Sequence, residues 1–145
     1  MNQLKLGFAR EDFTPTWPVR MNSQCTNDEV WHNIFAHALY FCDGSEQALV
    51  IDLDVRELYD HFVNPLRPVV AEKTGIRAEN IVFATTHNHS SPDVGASSTV
   101  ENCIRWKEEL GYPAIVRAAV AAVADAKPVI KMEGGRAISE KINFV

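Results

Sequence analysis

Apolar and polar positions divide this chain into strand-like and helix-like stretches. Leu4 to Ala9 has the composition of a first strand. It runs toward Thr14-Pro15-Thr16-Trp17-Pro18, where the prolines remove backbone donors and hold the chain extended. Residues 19–30 show no period and read as irregular. Ile34 to Cys42 is apolar and aromatic, Asp43-Gly44 follows, and Gln47 to Val55 is a second strand-like run. Asp-Gly between two such runs is a strong hairpin signal, so the two are expected to pair antiparallel.

Beyond the hairpin, the prolines of Asn64-Pro65 or Arg67-Pro68 suit a first helical turn, and Gly75 is a natural stop, which predicts a helix between them. Asn80 to Thr86 is a short buried strand. Strand, helix and strand in this span form a βαβ unit, whose right-handed crossover makes 47–55 and 80–86 parallel neighbours. Pro113 to Lys127 carries an apolar stripe of Ile115, Val116, Ala119, Val120, Val123 and Ala126, with proline in its first turn and Pro128 beyond its end. That is a second helix. Val129 to Met132 and Ala137 to Val145 read as two closing strands around Gly134-Gly135. The last of them runs to the end of the sequence with no polar tail, as expected of a piece of something longer. The pattern predicts one α/β domain over residues 1–145: a mixed sheet with a βαβ unit and helices packed on it.

Composition narrows the function classes. A chain of 145 residues can bury a core without metal or disulfide staples, and 46% hydrophobic with 23% charged residues is typical of folded domains. Fourteen Lys+Arg against 19 Asp+Glu give a net charge of −5 with no basic run, which disfavours nucleic acid as a partner. No run approaches the roughly 20 apolar residues that span a bilayer, so no integral membrane segment is expected. The first residues lack the basic and apolar regions of a signal peptide, and a cytoplasmic location follows as the expectation. Cys25, Cys42 and Cys103 are odd in number and form no C-x-x-C pair, which fits free thiols serving as small buried residues.

The chemistry concentrates in Thr85-Thr86-His87-Asn88-His89-Ser90-Ser91-Pro92-Asp93, where a buried strand, expected to be central in the sheet, gives way to a loop at its carboxyl edge. Ligand sites of open α/β sheets favour that edge. Two histidines at i and i+2 of extended backbone point the same way. Both imidazoles could then face one metal ion, or one could bind while the other donates to a substrate oxygen; a pair of solvated loop histidines is the plainer reading. Asp52 and Asp54 sit near the carboxyl end of the neighbouring strand, where a carboxylate could fix an imidazole tautomer or simply belong to an alternating half-buried strand. His61 follows that strand, while His32 and His37 read as structural. Ser90 and Ser91 lack the glycine-flanked elbow of a hydrolase nucleophile, and Gly134-Gly135 has no phosphate-loop spacing. Trp17, Trp31 and Trp106 read as core or groove lining.

Four pieces, in order, resemble the amino-terminal part of the catalytic domain of the neutral/alkaline, non-lysosomal ceramidase family. Gly7-Phe8-Ala9-Arg10-Glu11-Asp12-Phe13-Thr14-Pro15 resembles that family's opening G-x-x-x-x-D-I-T-P. His32 to Leu39 before Asp43-Gly44, and Val70-Ala71-Glu72-Lys73-Thr74-Gly75-Ile76, are similar to the segments that follow. Ala84-Thr85-Thr86-His87-Asn88-His89-Ser90-Ser91-Pro92-Asp93 resembles A-T-H-T-H-S-G-P and is the specific match.

The resemblance implies a zinc-dependent amidohydrolase that cleaves N-acyl amide bonds, with a small-molecule amide or sphingolipid-like substrate. By position, His87 would be a zinc ligand and His89 the catalytic group on the substrate side. Asn88 and Ser91 depart from the family pattern, and the family's other ligands, a second histidine, a glutamate and a tyrosine, correspond to positions beyond Val145. The zinc ligand set in this chain is therefore expected to be incomplete, leaving a domain inactive alone or completed by a homo-oligomer or a missing downstream segment. The competing reading is a non-catalytic α/β module that keeps the fold and uses the same edge for binding or assembly.

Overall fold

A computed structural model of the chain describes residues 3–21, 25–27, 29–95, 101–136 and 138. Strand β1 (Lys5–Asp12) precedes β2 (Phe35–Cys42), which turns through Gly44 at φ 90° into β3 (Gln47–Leu53). Helix α1 (Asp60–Thr74) and a 3-10 turn (Ala78–Asn80) lead to β4 (Ile81–Thr85). A helical segment follows: α2 (Glu101–Trp106), a π-helical turn (Lys107–Gly111) and α3 (Tyr112–Ala124), before the two-residue β5 (Lys127–Pro128).

The strands form one mixed sheet in the order β4-β3-β2-β1-β5. β2 and β3 pair antiparallel from Cys42↔Gln47 to Ala36↔Leu53, as the Asp-Gly turn requires. β3 and β4 pair parallel with α1 as crossover, from Leu49↔Ile81 to Leu53↔Thr85. The βαβ expectation holds. One expectation about it does not: β4 is an edge strand among the described residues, so the histidine segment leaves the sheet's border and not a central strand.

One face of the sheet carries Ala36, Ala38 and Tyr40 of β2 with Leu49, Ile51 and Leu53 of β3, all buried under α1 and α3. α1 buries Phe62, Val63, Leu66 and Val70, the i, i+1, i+4, i+8 spacing of an amphipathic helix. It begins at Asp60, ahead of both prolines. Pro65 and Pro68 lie inside it, because the apolar stripe outweighs two absent backbone donors whose would-be acceptors, the carbonyls of His61 and Asn64, belong to exposed residues. Gly75 closes the helix in the left-handed region, its N–H donating to the Ala71 carbonyl at 2.9 Å. Arg67 spans from α1 to β4, its guanidinium over the Phe83 ring and donating to the Ile81 carbonyl.

α3 lies over β1 and β2 through Ala114, Ile115, Ala118, Ala119 and Ala122. Small side chains let it approach so closely that a Cβ on Gly7 would stand 1.9 Å from the Ala122 carbonyl oxygen. Trp106, buried at the end of α2, donates its indole N–H to the Phe13 carbonyl at 2.8 Å and meets the Phe13 ring edge-on. The Tyr112 hydroxyl donates to the Phe62 carbonyl at 2.6 Å and joins α3 to α1.

The expected closing strand at 129–132 is absent. Val129 N–H still bonds the Leu4 carbonyl at 2.8 Å, but pairing with β1 is confined to Lys127 and Pro128, since the proline has no N–H to extend the ladder. Of the second expected closing strand, 137–145, only Ile138 lies within the described residues, and it is not in a strand. No helix among the described residues is long and apolar enough to cross a membrane.

Candidate functional site

The carboxyl ends of the parallel pair open into two loops, Asp54 to Tyr59 after β3 and Thr86 to Gly95 after β4. The ladder does not stop with the strands. Thr86 N–H bonds the Leu53 carbonyl at 3.1 Å and Asn88 N–H the Val55 carbonyl at 3.2 Å, so the histidine segment stays attached to the loop beside it.

Between those two bonds His87 adopts φ 59°, a left-handed conformation uncommon for a residue with a Cβ. The expected extended backbone with two imidazoles facing one way is therefore corrected: the chain kinks at the first histidine. Its ring is pinned by the neighbouring loop, with Nδ1 2.7 Å from the Arg56 carbonyl oxygen. A carbonyl only accepts, so Nδ1 carries the proton and donates, and the neutral ring keeps its lone pair on Nε2. His89 brings its own Nε2 to 3.2 Å from that atom, the rings crossing at 75° with centroids 4.9 Å apart. The kink thus brings the rings together by a different route from the one the spacing suggested.

A polar group surrounds the pair. Arg56 forms an ion pair with Glu57. Tyr59 donates to Glu57, and this bond, then the Arg56 guanidinium and the nearby His87, hold the Glu57 carboxyl below its usual range; the same bond raises the Tyr59 phenol. His61 stacks on the Tyr59 ring, and its Nε2 lies 3.0 Å from the Val94 carbonyl. Gly95 sits under the same ring, where a Cβ would come within 2.6 Å of Tyr59 Cε2. Ser91 is fully buried and donates its hydroxyl to the Asn88 carbonyl at 2.9 Å, a turn-forming role, while Ser90 beside it is exposed.

The carboxylates picked out with the histidines sit elsewhere. Asp52 stands in register with His37 on β2 and Ala84 on β4, on the sheet face away from the helices. Asp54 Oδ2 accepts the Phe35 N–H at 2.9 Å and borders a cavity of about 700 Å³. Thr86, Asn88 and Ser90 line that cavity together with Trp31, His32 and Asn33, whereas His87 and His89 turn to the Arg56–Tyr59 loop. The motif therefore presents two sides: imidazoles to one, hydroxyl and amide groups to the other. Arg56, Glu57 and Tyr59 escaped the sequence reading. Their signal was position, directly after the β3 run and at the same edge as the histidines.

A catalytic zinc takes about three protein ligands and an open position. The described residues bring two convergent imidazole nitrogens, and no group of three or more His, Cys, Asp or Glu among them stands where it could hold a metal ion. Two imidazoles fall short of that set.

No protein-family model and no curated protein sequence matches the chain. Its fold matches part of solved ceramidases. A structure described as ceramidase complexed with C2 superposes with a TM-score of 0.72 at 18% identity, over 88% of this chain and 22% of that one. Neutral ceramidase from Pseudomonas aeruginosa gives 0.69 at 16% identity over the same shares. At such identities the likeness is one of fold. The chain spans about a fifth of the length of these enzymes.

Proposed function

We propose that this chain is the histidine-bearing part of a ceramidase-like amidohydrolase, with His87 a zinc ligand, His89 the substrate-side group, and further ligands supplied from outside the described residues. The observation that carries the reading is the 2.7 Å contact between His87 Nδ1 and the Arg56 carbonyl oxygen. With Nδ1 committed to the Arg56 carbonyl, Nε2 offers its lone pair at the sheet edge, as an orienting hydrogen bond does for metal-ligating histidines. His89, at 3.2 Å, holds an N–H beside that position, which suits a donor to a carbonyl oxygen that gains charge as an amide is attacked. The fold likeness to part of neutral ceramidase supports the reaction class, hydrolysis of an N-acyl amide in a small-molecule or sphingolipid-like substrate.

Calorimetric zinc titration and single-turnover assays on an N-acyl sphingoid substrate test it. The 145-residue chain should bind zinc weakly and show little or no turnover. His87→Ala should remove most of the zinc held by the chain or a completed protein, whereas His89→Ala should keep it and cut any turnover by about 10²-fold or more. Robust zinc-dependent hydrolysis by the chain alone would refute the incomplete ligand set. Unchanged zinc binding in both variants would favour the non-catalytic module.

A further inference from the structure

The helices cover one face of the sheet, and the other face carries rows of side chains in register. Phe8, Leu39, Val50 and Val82 form a row across β1, β2, β3 and β4. Phe8 is 52%, Leu39 36% and Val82 53% exposed, so the row is open where a sheet buried on both faces would be closed. On one side of it Leu6, Phe41 and Ala48 make a second apolar row; on the other, Arg10, His37, Asp52 and Ala84 make a polar one. Ring contacts confirm the shared face: His37 stacks on Phe8 and tilts against Phe35, with the Arg10 guanidinium over Phe35.

We infer that this face is the interface of a symmetric dimer, its occupant a second copy of the same sheet. Sheets pack about 10 Å apart with strand directions within about 30° of each other. A two-fold axis running along the strands between β2 and β3 satisfies this and sets each row against itself with the strand order reversed. Phe8 then faces Val82 of the second copy, Leu39 faces its Val50 and Phe41 its Ala48, so large side chains meet small ones. In the polar row His37 faces Asp52 of the second copy and Arg10 faces its Ala84, which aligns unlike groups and opposes no like charges. Turning the axis across the strands would instead lay the Leu6–Phe41 row on the Arg10–Asp52 row and bury charge under apolar side chains. Four strands about 4.8 Å apart and about seven residues long give a footprint of roughly 19 by 23 Å. The accessible area of such a corrugated face exceeds its footprint, so two copies together clear the roughly 1,000 Å² expected of a specific interface.

Sedimentation velocity and light scattering on the 145-residue chain test the arrangement, and they read assembly independently of zinc and turnover. The chain should show twice the 16.2 kDa of one copy, dissociating on dilution. Phe8→Lys and Val82→Glu, both at exposed positions, should each weaken the dimer at least tenfold while the circular dichroism spectrum stays as in the wild type. Mixed together they should recombine, because residue 8 of one copy faces residue 82 of the other and the new lysine meets the new glutamate. A mass of one copy at every concentration, irregular aggregation in place of a dimer, or a dimer that neither variant weakens overturns the inference. A single-copy mass would hand the face to additional polypeptide of the kind the larger ceramidases carry.

Discussion

His87 and His89 meet through their Nε2 atoms at 3.2 Å, and the proton between them comes from His89, because His87 has its own proton on Nδ1 against the Arg56 carbonyl. Nitrogen-detected NMR of the metal-free chain at a pH where both rings are neutral should therefore show His87 as the Nδ1–H tautomer and His89 as the Nε2–H tautomer. Adding zinc should perturb His87 Nε2 first. Equal perturbation of both rings would mean a two-imidazole ligand pair, and the opposite tautomer at His87 would remove the basis for its ligand role.

The left-handed backbone of His87 predicts an unusual order of substitutions. Alanine keeps the unfavourable φ and loses the bond to Arg56, so His87→Ala should destabilise the chain by about 1–2 kcal/mol. Glycine loses the same bond but relieves the backbone. His87→Gly should therefore come out about 1 kcal/mol or more above His87→Ala in urea unfolding, reversing the usual penalty for glycine over alanine. Equal stabilities would mean that the segment relaxes out of the left-handed region once the ring is gone.

Much of this site could be foreseen, and its failures have identifiable causes. The apolar runs 34–42 and 47–55 with Asp43-Gly44 between them determined the hairpin, and the short span to Asn80 determined the parallel pair and hence the edge at which His87 emerges. Prolines taken as local punctuation put the start of α1 too late, because the spacing of Phe62, Val63, Leu66 and Val70 buries enough to override them. Extended backbone at His87 was the default for a strand end; the kink is held by the Arg56 carbonyl, a contact 31 residues away in sequence that no local pattern contains. Asp52 shares its sheet face with Asp54 by parity, yet ladder register places it beside His37. Parity is readable from one strand, but register needs its neighbours.

Gly7 predicts the tightest constraint in the core. A Cβ there would lie 1.9 Å from the Ala122 carbonyl oxygen and 2.9 Å from the Ala126 nitrogen, both backbone atoms that move only with α3 and its exit. Gly7→Ala should cost about 3 kcal/mol or more, the upper range for overpacking. Gly95→Ala presses instead on the Tyr59 ring, which can rotate, and should cost less while loosening the Tyr59 bond to Glu57. Thermal melts of the two variants compare them directly; a mild Gly7→Ala would show that α3 can slide off β1.

All three tyrosines release their protons late. Burial, then the nearby Glu108 charge, pushes Tyr112 up to about 12; burial, then Cys42, does the same for Tyr40; and Tyr59 is raised by its bond to Glu57. Unfolded phenols titrate near 10. The native fold therefore retains protons that the unfolded chain gives up, and this contribution is intact below pH 10 and lost as pH rises through about 12. Phenolate absorbance should rise at distinctly higher pH in buffer than in urea. Tyr112→Phe should lower stability at neutral pH by about 1 kcal/mol, through the lost bond to Phe62, and flatten its decline above pH 10. Coincident native and denatured titrations would contradict the burial of Tyr40 and Tyr112.

The strand order also sets a timetable for synthesis. β1 is made first but lies between β2 and β5, and β5 follows more than a hundred residues later. Until Lys127 and Pro128 have left the ribosome, the outer edge of β1 has no strand beside it. Until Trp106 arrives, the Phe13 carbonyl waits for its donor. The hairpin and the βαβ unit can close early from local sequence, so the nascent chain would pass through a state with its histidine edge assembled and its first strand uncapped. During that interval a chaperone, or another nascent copy, would find the outer ladder of β1 open from Lys5 onward, including the two residues that β5 later covers.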